Sequence, residues 1–199
     1  MWNKTKLDAW AEHIKAGGVG AAPAEGVYGY VADPFQENAV RKIIATKQRD
    51  ENKGLILLVR DISFIPQLTG DLPPVCQAAV DRYFPCPQEK PITLILPHNF
   101  RQNSAFSAPH AMLLSGGRDT LAIRVSACPY VQEYMQHTNG FLVSTSLNQS
   151  GEPAVFKDDD IPPSIQEHTL ILGSDYSIKQ KLEGVSSRIY NPTDDTWLR

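Results

Sequence analysis

Apolar side chains recur early in the chain at Leu7, Trp10, Ala11 and Ile14. That i, i+3, i+4, i+7 spacing puts them on one stripe of a helix, and Gly17-Gly18 marks its stop. The run GVYGYVA at 26–32 alternates weakly and reads as a strand or turn. A second helix is expected to start at Asp33-Pro34 and run to about Thr46, with Val40, Ile43 and Ile44 on one face. Leu55-Ile56-Leu57-Leu58-Val59 is continuously apolar, the mark of a strand covered on both sides. Pro73-Pro74 opens a third helix through Val80 and Tyr83. The second half is richer in strands: 92–96, 120–125, 141–145 and 169–172 are short aliphatic or β-branched runs bounded by Gly, Pro or Asn. Between two of them, 129–135 reads as a helix with Val131, Tyr134 and Met135 inward. The polar stretch 97–119 and the acidic, proline-bearing stretch 149–167 read as loops with at most a helical turn. Helices and strands interleave without strict βαβ regularity, which predicts an α/β fold: a mixed sheet with helices packed on it.

Composition narrows the class. At 199 residues the chain fits one domain spanning 1–199, long enough to bury a core without disulfides or metal staples. Hydrophobic residues make up 42% and charged residues 21%, which argues against disorder. The formal net charge of −3 argues against tight, autonomous nucleic-acid binding, because phosphate neutralisation supplies much of that affinity. Locally the balance differs: Arg41, Lys42, Lys47, Arg49, Lys53 and Arg60 face only Asp50 and Glu51 in the same stretch, enough for a basic pocket in an acidic protein. Cys76, Cys86 and Cys128 show neither a disulfide framework nor metal-ligand spacing. The start, MWNKTKLDAWAEHIK, lacks the apolar core of a secretory signal, and no run reaches the roughly 18 apolar residues of a membrane span. A reduced, cytoplasmic protein with no membrane partner is expected. His13, His98, His110, His137 and His168 are scattered without ligand spacing and read as surface or capping residues.

Three short segments carry candidate chemistry. Lys47-Gln48-Arg49 follows the second helix; on an extended backbone its two cations could converge on one anion, a fork of donors beside a point charge. The same pair also suits a helix C-terminus as solvated charge. Ser144-Thr145-Ser146-Leu147-Asn148 ends a strand in hydroxyls and an amide, a compact set for ribose or phosphate, or equally an ordinary turn. In Pro23-Ala24-Glu25-Gly26-Val27-Tyr28-Gly29, glycines beside an aromatic permit close approach of a ligand or simply a turn.

Their order adds what each lacks alone. Pro-x-Glu-x-Val-Tyr-Gly, then Lys47-Gln48-Arg49 with Lys53-Gly54-Leu55-Ile56-Leu57, then Pro91-Ile92-Thr93, Leu121-Ala122-Ile123-Arg124-Val125, Ser146-x-Asn148 and Ser187-x-Ile189 resemble the TsaC/YrdC-like threonylcarbamoyl-AMP synthase family over nearly the whole chain. The likeness is to its short, single-domain bacterial form, and no further domain is expected after Arg199. It implies an open, twisted mixed sheet with packed helices around a large central cleft. It implies ATP with Mg²⁺, bicarbonate and L-threonine as reactants. Threonylcarbamoyl-AMP and pyrophosphate would be the products, the adenylate passing to a downstream complex that modifies tRNA to threonylcarbamoyladenosine (t6A). The tetrad Lys47, Arg49, Ser146 and Asn148 would be catalytic. Lys47 and Arg49 would bind the ATP phosphates, and Ser144, Ser146 and Asn148 the phosphate and ribose. Thr93, Arg124 and Ser187 would complete the nucleotide pocket, Tyr28 would face the threonine, and the chain itself would supply no metal ligand. The chain departs from the family pattern at Ala24, where a threonine is usual, at Glu89-Lys90 before Pro91, at Leu147, at Cys128 and at Ser186. A non-catalytic paralogue binding nucleotide or, weakly, double-stranded RNA is the alternative reading.

Overall fold

The structure, a computed structural model, describes residues 4–87, 91–99, 107–148, 152–167, 169–173 and 186–198. The first helix, α1 (Lys4–Lys15), buries Leu7, Trp10, Ala11 and Ile14, the stripe its spacing predicts. After it, β1 (Gly20–Pro23) and β2 (Tyr28–Ala32) form an antiparallel hairpin. The first of these strands, Gly-Ala-Ala-Pro, escapes propensity rules because its small side chains fill space against neighbours rather than favour extension by themselves.

Helix α2 (Glu37–Thr46) buries Ala39, Val40, Ile43 and Ile44. It begins later than Asp33-Pro34 suggests: the Asp33 carboxylate accepts the Phe35 N–H at 2.9 Å, closing a turn ahead of the helix. Strand β3 (Ile56–Val59), the short helix α3 (Pro66–Thr69) and α4 (Pro74–Tyr83) follow, then β4 (Ile92–Pro97). The polar stretch after β4 is not all loop. Ser107 caps α5 (Ala108–Ser115), its side chain accepting the His110 N–H at 3.3 Å, with Pro109 in the first turn and Gly116 left-handed at the end. Residues 100–106 of that stretch, with Glu89, Lys90 and His168, lie outside the described residues. The remaining elements are β5 (Thr120–Arg124), α6 (Pro129–Gln136), β6 (Phe141–Ser146), α7 (Pro163–Gln166), β7 (Leu170–Ile171), β8 (Arg188–Asn191) and β9 (Thr196–Trp197).

Among the described residues the strands form one mixed nine-stranded sheet in the order β7-β1-β2-β6-β3-β5-β4-β8-β9. Its register sorts the side chains into two faces. One row runs Val143, Leu57, Ile123, Leu94 and Tyr190 across β6, β3, β5, β4 and β8, and is wholly apolar or aromatic. The next row runs Val31, Ser144, Ile56, Ala122 and Ile95 across β2, β6, β3, β5 and β4, with a serine and an alanine set among aliphatic side chains. Because strand side chains alternate with period two, these rows occupy opposite faces. The first belongs to the core; the second floors the cleft.

Candidate functional site

A cleft of about 520 Å³ lies over that second face, within the range of small-molecule sites. Its floor carries Gly29, Ser144, Ser146, Ile56, Ala122 and Ile95, and the end of α5 walls it with Leu114 and Ser115. Gly29 is needed there: a Cβ at this position would come within 3.0 Å of the Ser144 hydroxyl and 3.1 Å of the Thr145 carbonyl. Four cations line the space, Arg49, Lys53, Arg118 and Arg124, and among its described lining residues there is no carboxylate, histidine or cysteine.

The Lys47-Gln48-Arg49 segment is built differently from an extended strand. It ends α2 in a Schellman cap: the Arg49 N–H reaches the Ile44 carbonyl, the Gln48 N–H reaches that of Ala45, and Gln48 is left-handed at φ 48°. The cap turns the two cations apart. Lys47, 2% exposed, donates to the carbonyls of Ser146 (2.5 Å) and Asn148 (2.6 Å) and to the Asn148 side-chain oxygen (2.9 Å). The Ser146 hydroxyl donates to the same Asn148 oxygen at 2.6 Å. Lys47, Ser146 and Asn148 thus form one hydrogen-bonded unit beside the cleft, although their sequence separation is near a hundred residues. Desolvation, followed by repulsion from Arg49, depresses the Lys47 pKa from 10.5 to about 8. Arg49 points the other way and clasps the Gly54 carbonyl through Nε (3.1 Å) and Nη2 (2.8 Å) while lining the cleft.

The remaining predicted residues divide. Ser144, Ser146, Arg124 and Ser187 line the cleft. Thr93, fully buried, shares a 2.9 Å hydrogen bond with the Ser187 hydroxyl and stands directly behind it. Tyr28 does not line the cleft. It is 1% exposed, and its neighbour Gly29 takes the cleft-facing position because adjacent strand residues face opposite ways. Arg124 pairs with Glu25 at 3.2 Å, both side chains almost wholly buried. Ala24 lines the cleft, while its carbonyl accepts the Tyr130 hydroxyl at 2.6 Å. Burial pushes the Cys128 thiol up to about 11 and raises Cys86 as well, so neither is a thiolate at neutral pH.

Lys53, one of the cations of the expected basic pocket, lines the cleft, and so does Arg118, to which the sequence reading assigned no role. The signal for Arg118 was present: it has the parity of Thr120, Ala122 and Arg124, so extending the strand's phase backwards leads to it. Asn191 and Ser115 offered no such signal. They come from the end of β8 and the end of α5, which reach the cleft only through tertiary packing.

A family model described as telomere recombination, Sua5/YciO/YrdC, matches residues 12–197. A threonylcarbamoyl-AMP synthase of Coxiella burnetii (strain RSA 331 / Henzerling II) is 32% identical over 180 residues, 90% of this chain and 86% of that protein. One from Pseudomonas aeruginosa (strain UCBPP-PA14) is 36% identical over 154 residues, 77% of this chain and 76% of that one. Among solved structures, P. abyssi Sua5 complexed with L-threonine superposes with a TM-score of 0.76 at 25% identity. That match covers 95% of this chain and 51% of the P. abyssi protein, so the chain spans about half of that longer relative. With a fold, a cleft and a matched span that all agree, the chain belongs to the Sua5/YciO/YrdC family.

Proposed function

We propose that this chain is a nucleotidyltransferase of the cytoplasm, an L-threonylcarbamoyladenylate synthase. It forms threonylcarbamoyl-AMP and pyrophosphate from ATP, bicarbonate and L-threonine for t6A modification of tRNA. The observation that carries the reading is the cleft: four cations, a floor that sets glycine, alanine and serine beside Ile56 and Ile95, and no acid, imidazole or thiol among the described lining residues. That is a site for a polyanion whose reaction calls for alignment and charge stabilisation rather than covalent catalysis. The named activity of the bacterial relatives supports it. The three cysteines, buried and free, suit a reducing compartment, and no helix among the described residues is long and apolar enough to cross a membrane.

In the reaction the threonine amine and bicarbonate condense to a carbamate with loss of water. A carbamate oxygen then attacks the α-phosphorus, and the bond to the bridging oxygen breaks with its electron pair leaving on pyrophosphate. Arg49, Lys53 and Arg118, which line the cleft, hold the triphosphate and stabilise charge on the departing pyrophosphate. The Ser144 hydroxyl presents a donor and an acceptor at the floor, and the Ser146 oxygen, its proton directed at Asn148, accepts from the ribose. Lys47 serves by fixing Ser146 and Asn148, since the carbonyl and amide oxygens of those two residues take up its ammonium. ATP enters as its Mg²⁺ complex. The ion belongs to the substrate, held by the phosphates and water, as is usual for Mg²⁺ on a nucleotide.

Purified protein with MgATP, bicarbonate and L-threonine should release pyrophosphate in a threonine-dependent manner, with the adenylate detected by mass spectrometry. Arg49→Ala should lower turnover by roughly 10²–10³, the loss typical of one donor to developing charge. Folded protein that binds ATP yet forms neither product with threonine nor with serine overturns the reading.

A further inference from the structure

The pair formed by Arg124 and Glu25 differs from the other charged groups of the cleft. Arg124 lies on β5 in phase with Ala122 and Thr120 and lines the cleft floor, whereas Glu25 lies behind it and does not. Their Nη2 and Oε2 atoms are 3.2 Å apart, with side chains 7% and 1% exposed. Glu25 sits in the turn between β1 and β2, and that turn is held from two sides. The Ala24 N–H donates to the Val27 carbonyl at 2.8 Å, and the Ala24 carbonyl accepts the Tyr130 hydroxyl of α6 at 2.6 Å. The backbone carrying the carboxylate is therefore closed on itself as a turn and pinned to a helix.

An ion pair kept for stability alone is a poor use of a buried position, because a well-packed apolar pair is commonly as stable or more so. Buried polar groups that serve structure also satisfy their remaining hydrogen-bonding atoms. Here Glu25 Oε1 and Arg124 Nε are both buried without a hydrogen-bond partner among the described residues. What the pair achieves, and an apolar pair could not, is a guanidinium held at one angle on the floor of the cleft. Glu25 also balances its charge locally, so Arg124 contributes directed donors where Arg49, Lys53 and Arg118 contribute positive potential.

We propose that Glu25 is a positioning residue: its carboxylate fixes the orientation in which Arg124 meets the substrate, and turnover depends on Glu25 only through Arg124. The proposal rests on the adenylate-forming reading above. A double-mutant cycle on threonine-dependent pyrophosphate release tests it. Glu25→Gln and Glu25→Asp should each lower kcat/KM roughly 10- to 100-fold, the second because a carboxylate withdrawn by one methylene misplaces its partner. In an Arg124→Gln background, Glu25→Gln should cost less than about threefold more. Wild-type rates in both Glu25 variants, or losses that multiply across the cycle, overturn the proposal. Should Glu25→Gln fail to fold, the charge-retaining Glu25→Asp with Arg124→Lys supplies the same cycle. A second readout stands apart from activity: the Arg124 Nε–H resonance in ¹⁵N-arginine-labelled protein should be sharp in the wild type and shifted or broadened in Glu25→Asp. An unchanged resonance sinks the proposal even if the wild type makes no adenylate, whereas a silent wild-type assay sinks only the reading of function.

Discussion

Lys47 illustrates how one residue can be legible in type and hidden in role. A lysine in Lys-x-Arg suggests a phosphate ligand, yet its ammonium is taken up by two carbonyls and a side-chain oxygen of the Ser146–Asn148 segment. Its depressed pKa, about 8, makes this arrangement testable by pH. Deprotonation leaves a lone pair facing carbonyl oxygens, so turnover should fall as pH rises through about 8. The residual activity of Lys47→Met should show no such inflection. The stability effect has the opposite sign. Between about 8 and 10.5 the native state has lost a proton that the unfolded chain still holds, so the unfolded state binds more protons and this group's contribution rises with pH. Urea melts of the wild type against Lys47→Met should show that relative gain across this window and a flat difference below it. Tyr28 teaches the complementary point: an aromatic in a glycine-flanked motif draws attention, but the residue that faces the cleft is its neighbour Gly29.

At the scale of elements, the joint between α5 and the turn before β3 closes the cleft wall. The Leu55 N–H donates to the Leu114 carbonyl at 3.0 Å, and Gly116 stacks on the backbone of Asn52 and Gly54. A Cβ on Gly116 would stand 2.5 Å from both the Asn52 carbonyl oxygen and the Gly54 nitrogen, on a residue at φ 64°. Gly117, at φ 74°, has nothing within 4 Å of its Cβ position. Gly116→Ala should therefore cost at least about 2 kcal/mol, since strain and a backbone clash add. Gly117→Ala should cost about 1 kcal/mol, the left-handed penalty alone. Equal urea midpoints for the two variants would refute this account of the joint. Apolar periodicity reveals α1, α2, α4 and α6 because each buries a regular stripe. It misses α5, whose surroundings are polar in sequence and whose start is set by a serine cap and a proline.

For the whole molecule, the net charge of −3 and the four-cation cleft coexist because charge is sorted in space. Affinity for MgATP should therefore weaken as salt rises from roughly 0.05 to 0.5 M, where the screening length shrinks to a few ångströms. The KM for threonine should change little. Arg118→Glu, placed at the exposed rim, should lower ATP affinity about tenfold at low salt and much less at high salt, measured by calorimetry. A salt-independent affinity would deny the cationic rim its assigned work.

The sequence by itself determined the class of most elements and the apolar stripes of the helices, because periodicity is a local consequence of backbone geometry. It also singled out Ser144 and Ser146 and, through the resemblance that pointed to the family, Arg124; all three line the cleft. Only the tertiary structure decided that Lys47 turns toward Asn148 while Arg49 turns toward Gly54, for that divergence depends on a left-handed Gln48. It alone decided that Glu25 lies behind Arg124 and that Arg118 and Asn191 share one cleft. These pairings join residues far apart in the chain, and strand register and helix docking set them rather than any local preference.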